Sequence, residues 1–106
     1  MSNVSTVIVV CEEDDLDMVR ARLDAILLAQ ESRATFKQVD QGFGGDKHPQ
    51  AHVFGSAINY LQLEEFVRDV LALPWEYPEG LVIVVQPDQG ATQVYRPPEA
   101  SWAHLV

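Results

Sequence analysis

Two short runs constrain this chain more than anything else in it: "VIVVC", Val7 to Cys11, and "LVIVVQ", Leu81 to Gln86. Five consecutive apolar residues, most of them β-branched, are too few for a buried helix. They suit strands that want cover on both faces. Any fold for this chain must place these two runs centrally and find something to lay against each side of them.

The stretches between supply the layers. "DDLDMVRARLDAILLAQ" puts Leu16, Val19, Leu23, Ile26 and Leu27 on one face of a helix. Asp14 or Asp15 can cap its start, the acidic first turn suits the helix dipole, and the helix should end near Gln30 to Ser32. "RATFKQVD", Arg33 to Asp40, reads as a polar edge strand, and a further strand runs from His52 to about Ile58. "LQLEEFVRDVLAL" repeats the helical spacing at Leu63, Phe66, Val67, Val70 and Leu71, with Pro74 as its stop. After Leu81–Gln86, the turn "PDQG" leads into "ATQVYRP", a short returning strand ended by Pro97 and Pro98.

The order β-α-β-β-α-β plus a hairpin strand predicts an α+β, ferredoxin-like sandwich: one domain over residues 1–106, with 97–106 as a C-terminal tail. A chain of 106 residues can bury about two thirds of its unfolded surface, enough for one core. A parallel flavodoxin-like sheet fits less well, because no helix separates the second and third strands. We expect strand one to lie beside strand three and parallel to it, with both helices on one face and starting at the same end. That leaves one sheet face bare while both apolar strands want cover. We therefore expect a homo-oligomer, a partner protein or the tail "SWAHLV" to lie across it.

Charge narrows the partners. Sixteen acidic residues against seven basic ones give a net charge of -9 and a pI near 4.5. Binding nucleic acid or an anionic membrane would need a basic patch, and none is visible, whereas a basic protein partner is favoured by opposite fields. No apolar run reaches the roughly 18 residues of a membrane span. The start "MSNVSTVIVVCEEDD" lacks a signal peptide's basic lead, and Cys11, the single cysteine, cannot pair internally. These features predict a cytoplasmic protein.

The stretch "QGFGGDKHPQAH", Gln41 to His52, holds the densest collection of chemical groups. A phosphate loop needs Gly-Lys-Ser/Thr opening a helix, but Lys47 is followed by His48 and Pro49 and then by a strand. Gly42 and Gly44 start a dinucleotide fingerprint that fails at its third glycine, where Lys47 stands. Pro49, between His48 and His52, breaks the helical spacing that would pair them on a metal. We read the segment as a connection, and Gly42, Gly44, Lys47, His48 and His52 as a ligand loop only under the alternatives below. Cys11 precedes a helix start, yet Glu12, Glu13, Asp14 and Asp15 oppose its thiolate, so it reads as a buried thiol. No catalytic residue, metal site or cofactor is assigned.

The expected partner surface is acidic: Glu12, Glu13, Asp14, Asp15 and Asp17 at the first helix, joined by Glu64 and Glu65 at the second. Trp75 and Tyr77, in the proline-stiffened loop "PWEYPEG", would be its aromatic anchors or else lids on the core. The function expected is a small acidic binding protein, a stoichiometric inhibitor or immunity-type protein that neutralises a basic partner such as a toxin nuclease. The alternatives are a ligand-sensing regulatory domain of dimeric ferredoxin-like type, or a small cofactor-free enzyme on a dimeric α+β barrel. The enzyme would use His48, His52 or Tyr60 for proton transfer.

Overall fold

The computed structural model describes residues 3–47 and 50–98, which form an α+β domain with a five-stranded antiparallel sheet and two helices. In chain order the elements are β1 (Val4–Cys11), α1 (Leu16–Ala29), β2 (Lys37–Gln38), β3 (His52–Asn59), α2 (Leu63–Leu71), β4 (Val82–Gln86) and β5 (Gln93–Tyr95). Single 3-10 turns sit at Asp40–Gly42 and Pro78–Gly80. The sheet order is β2-β3-β1-β4-β5. The two apolar runs are central neighbours, as their composition demands. None of the described helices is long and apolar enough to cross a membrane.

The expected parallel pairing of the first and third strands is overturned. Val4 pairs with Asn59 and Cys11 with His52, so β1 and β3 are antiparallel along their whole length. β1 and β4 are antiparallel as well, from Thr6 with Gln86 to Val10 with Val82. The consequence is directional. α1 starts beyond Cys11, at one end of the sheet, and α2 starts beyond Asn59, at the other. Opposite strand directions give opposite helix starts, so the two acidic helix openings cannot form one edge.

Both faces follow from alternation. Val7, Val9 and Cys11 point to one side with Phe54, Ile58, Ile83 and Val85, and all are essentially buried. The helices lie on this side through Val19, Leu23 and Leu27 from α1 and Phe66, Val67 and Val70 from α2. These are the helical faces that the sequence spacing predicts.

The second strand is far shorter than expected, and its backbone explains why. Phe36 is buried and its N–H donates to Asp24 Oδ1 on α1 at 2.7 Å. Its ring stacks on Phe66 with centroids 6.0 Å apart. The segment before Lys37 is thus tied to the helices through Phe36 and to β3 only through a side chain, the Ser56 hydroxyl donating to Thr35 O at 2.9 Å, and only Lys37 and Gln38 pair as strand, with Gly55 and Phe54.

Asp15 caps α1, its side chain accepting from the Met18 N–H at 3.1 Å. At the far end Glu31 N–H donates to Leu28 O and Ser32 N–H to Leu27 O, the paired bonds of a Schellman cap. That cap needs a left-handed residue, and Glu31 fills the place at φ 63° instead of the usual glycine. A glutamate there carries a Cβ penalty of about 1 kcal/mol. Glu31→Gly should therefore stabilise the protein by about 0.5–1 kcal/mol, read as a raised urea midpoint with unchanged slope. A lower midpoint would show that the strain is relieved in some other way.

Candidate functional site

The antiparallel sheet gathers three loops at the end where β1 finishes. The β1–α1 turn carries Glu12 to Asp15. β3 begins there, so the Gln41–Ala51 connection arrives at the same end. β4 also begins there, so "PWEYPEG" lies beside the turn. The groups that stand out in the sequence for their chemistry thus largely share one end. Glu64 and Glu65, in the first turn of α2, lie at the other.

One carboxylate holds this end together. Glu13 is only 5% exposed, and its Oε1 and Oε2 accept the backbone N–H groups of Glu76 and Tyr77 at 2.9 and 3.0 Å. Glu13 therefore stands beneath the surface as a clamp rather than on it as a partner contact. Glu12 packs its carboxyl group over Gly80: a Cβ on that glycine would come within 2.8 Å of Glu12 Cδ. The loop is drawn onto the acidic turn by both residues. Trp75 is half-buried, packs against the core and donates Nε1–H to Val70 O at 2.8 Å. It acts as a lid on the core, the second of its two expected roles.

What remains outward is negative. Glu12, Asp14, Asp15 and Asp17 are exposed around the start of α1, and in the loop drawn against it Glu76 is exposed while Tyr77 and Glu79 are half-buried. The charges of Asp14 and Glu76, then partial burial, then Glu13 and Glu79, push the Tyr77 phenol above its ordinary range. The direction of that shift marks a concentrated negative potential around the ring. Arg20 reaches Asp17 only at 3.9 Å across exposed surface and offsets little of it.

A second buried carboxylate orders the neighbouring loop. Asp40 is 4% exposed and accepts the Val53 N–H at 3.0 Å, His52 Nδ1 at 3.3 Å and Gln38 Nε2 at 3.3 Å. Burial alone would raise its pKa, but the bonds from Val53, His52 and Gln38 outweigh it and hold the carboxyl below its ordinary value. Beyond Asp40, Gly42 and Phe43 turn their N–H groups back to Val39 and Asp40 carbonyls, so neither amide faces out to cradle an anion. Nothing lies within 4 Å of a Cβ built on Gly42, Gly44 or Gly45, and Gly45 alone of these needs glycine, at φ +123°. Lys47 is exposed, and His48 lies outside the described residues.

Cys11 faces His52 directly across the sheet, and His52 bonds Asp40, so a cysteine, a histidine and an aspartate fall in sequence across three segments. The arrangement is not a nucleophile site. Cys11 is fully buried, and burial, the largest influence, raises its thiol pKa; the Glu13, Asp40 and Glu12 charges add to this, against a lowering bond from the Glu13 N–H. The thiol stays protonated. Tyr60, at the other end of β3, is about 27 Å of strand from His52 and cannot share a site with it. Among the described residues no group of three His, Cys, Asp or Glu side chains could hold a metal ion.

Two outcomes test this geometry. Glu13→Ala should cost about 2–3 kcal/mol, because two charge-assisted bonds go and two part-buried amides lose their acceptor. The Glu76 and Tyr77 amides should then exchange hydrogen at least tenfold faster, while Glu12→Gln leaves both unchanged. For Asp40, a depressed folded-state pKa adds stability at pH above its unfolded value, and that stability is lost as pH falls through the folded one. Asp40→Asn should therefore be destabilised at pH 7, with the gap to the parent narrowing below about pH 4 in urea titrations.

Compared with models of known protein families, with curated proteins and with solved structures, the chain matches none.

Proposed function

We propose that the chain is a charge-steered binding protein whose acidic end docks on a basic protein partner and occludes it, as a stoichiometric inhibitor or immunity-type protein would. The observation that carries this reading is the Glu13 clamp. It brings "PWEYPEG" against the start of α1, so that the charges of Asp14, Glu76, Glu13 and Glu79 converge on Tyr77, with Glu12, Asp15 and Asp17 exposed on the same stretch of chain as Asp14. Crowding like charges costs stability by self-repulsion, and a structure that spends a buried carboxylate to crowd them fits a surface under functional demand. Tyr77 supplies the rigid aromatic contact that such interfaces favour. The partner would present lysines and arginines around an apolar recess. A cytoplasmic setting accords with the single buried thiol.

The strand order, with crossover helices after β1 and β3, also supports reading the domain as a ferredoxin-like sandwich extended by β5. That layout hosts many functions and adds no weight to any one of them. A second reading rests on the Asp40–His52 pair, which fixes one imidazole nitrogen beside an open loop and would suit ligand sensing or proton transfer there. A small molecule carried through purification by the parent and lost from His52→Ala would favour it over docking.

The two acidic helix starts make the docking test internally controlled. Neutralising Glu12, Asp14, Asp17 and Glu76 together, as Gln, Asn, Asn and Gln, should slow association with a basic partner captured from the host at least tenfold at 0.1 M salt. At 1 M salt, where the Debye length falls from about 10 Å to about 3 Å, most of that difference should vanish. Neutralising Glu64 and Glu65, at the opposite end, should change the rate little. Equal effects from the two variants in stopped-flow measurements would reduce the cluster to a general solubility charge and remove the proposal's support.

A further inference from the structure

The sheet face turned away from the helices carries a second surface, unlike the first in every respect. The register builds it in rows. Val53, Val10 and Val82 stand side by side across three strands, and in the next row Ile8 lies between Gly55 and Val84, with Val94 beyond. A Cβ on Gly55 would meet Ile8 Cδ1 at 3.5 Å, so the isoleucine lies over the glycine and the row is level. Ile8, Val10, Val82 and Val84 remain half-exposed and Val94 is 60% exposed, although this is the most β-branched part of the chain.

Charge distinguishes the face further. None of the fifteen carboxylates among the described residues lies in any of the five strands; all are in helices, turns or loops. The only charged strand side chain on this face is Lys37, at the β2 edge. For a molecule of net charge -9, the approach of a second copy is opposed by repulsion through nearly every surface. It is least opposed here, where the two molecules meet without a carboxylate between their sheets. The area fits a weak contact. The long strands run about 27 Å, but β2, β4 and β5 are shorter, so the face covers roughly 400 Å² before side-chain relief and flanking loops are counted. A standard interface takes about 800 Å² of accessible surface from each partner.

We infer that two copies of this chain pack face to face through the Ile8–Val10–Val82–Val84 surface, leaving both acidic ends turned outward. This goes beyond the docking proposal and does not depend on it, because the two surfaces are separate and respond oppositely to salt. Self-association across a neutral apolar face between two acidic molecules is relieved of repulsion by salt, whereas docking to a basic partner is weakened by it.

The test is sedimentation equilibrium of the full chain over about 1–100 μM protein, at 0.1 M and 1 M salt. The expected result is a monomer–dimer equilibrium that tightens severalfold at the higher salt. Val84→Lys and, separately, the more exposed Val94→Lys should each weaken the dimer at least tenfold while retaining the parent's far-ultraviolet circular dichroism. The Val94 variant guards against a misfolded Val84 one. A protein that stays monomeric at 100 μM overturns the inference, whether the face then lies in water, under residues 99–106 or awaits another protein. So does a dimer that survives both substitutions, since its contact must then lie elsewhere.

Discussion

The antiparallel pairing of β1 with both neighbours is the constraint from which the rest of the molecule follows. β1 is bonded to β3 along eight residues and to β4 along five, so no other element touches so much of the sheet. Its direction relative to each neighbour determines which connections share an end. Because both neighbours oppose it, the chain leaves β1 where it enters β3 and β4. The turn after Cys11, the glycine-rich connection and the proline-stiffened loop are thereby brought together from positions more than sixty residues apart. The first turn of α2 is sent to the other end by the same geometry.

Two carboxylates then hold the gathered loops. Glu13 and Asp40 are acidic residues in a chain with an excess of them, yet both face inward and accept backbone N–H groups, buried at Val53 and part-buried at Glu76 and Tyr77. Each works because the amide donors converge on it, which keeps the charge tolerable away from water. Most of the remaining acids stand in solvent. Composition treats all sixteen alike, whereas the fold divides them between fixing loops and charging a surface.

This division marks how far the sequence could be read. Helical faces were legible because spacings of three and four are imposed by the helix and overwritten by nothing; Leu23, Leu27, Phe66 and Val70 fall inside as their periodicity requires. The two central strands were legible from β-branched runs. The direction of β3 relative to β1 was missed, because strand periodicity is the same either way; it follows from the connections, since a helical crossover returns β2 parallel to β1 and β3 then pairs antiparallel to β2. β2 was overextended because the Asp24–Phe36 bond links positions twelve apart through a side chain, which no local propensity encodes. Glu13 did leave a signal. The inward series Val7, Val9, Cys11 reaches it at the next alternate position, beyond the last paired residue, and Asp40 stands in the same relation to Gln38. Following the two-residue alternation past a strand's end, even onto a charged residue, would have separated both acids from their exposed neighbours.

The brevity of the outer strands bears on how the molecule can associate at all. β2 offers two paired residues and β5 three, with Pro97 and Pro98 directly following Arg96. A sheet that ends in such stubs gives an incoming strand almost no ladder to continue, and proline cannot donate to one. Growth by strand addition, which has no natural stopping point, is blocked at both margins. Contact through the flat of the sheet saturates instead once two molecules meet, because each has a single such face. A chain rich in valine strands is in this way turned from open-ended growth by strand addition, by nothing more than where its strands stop.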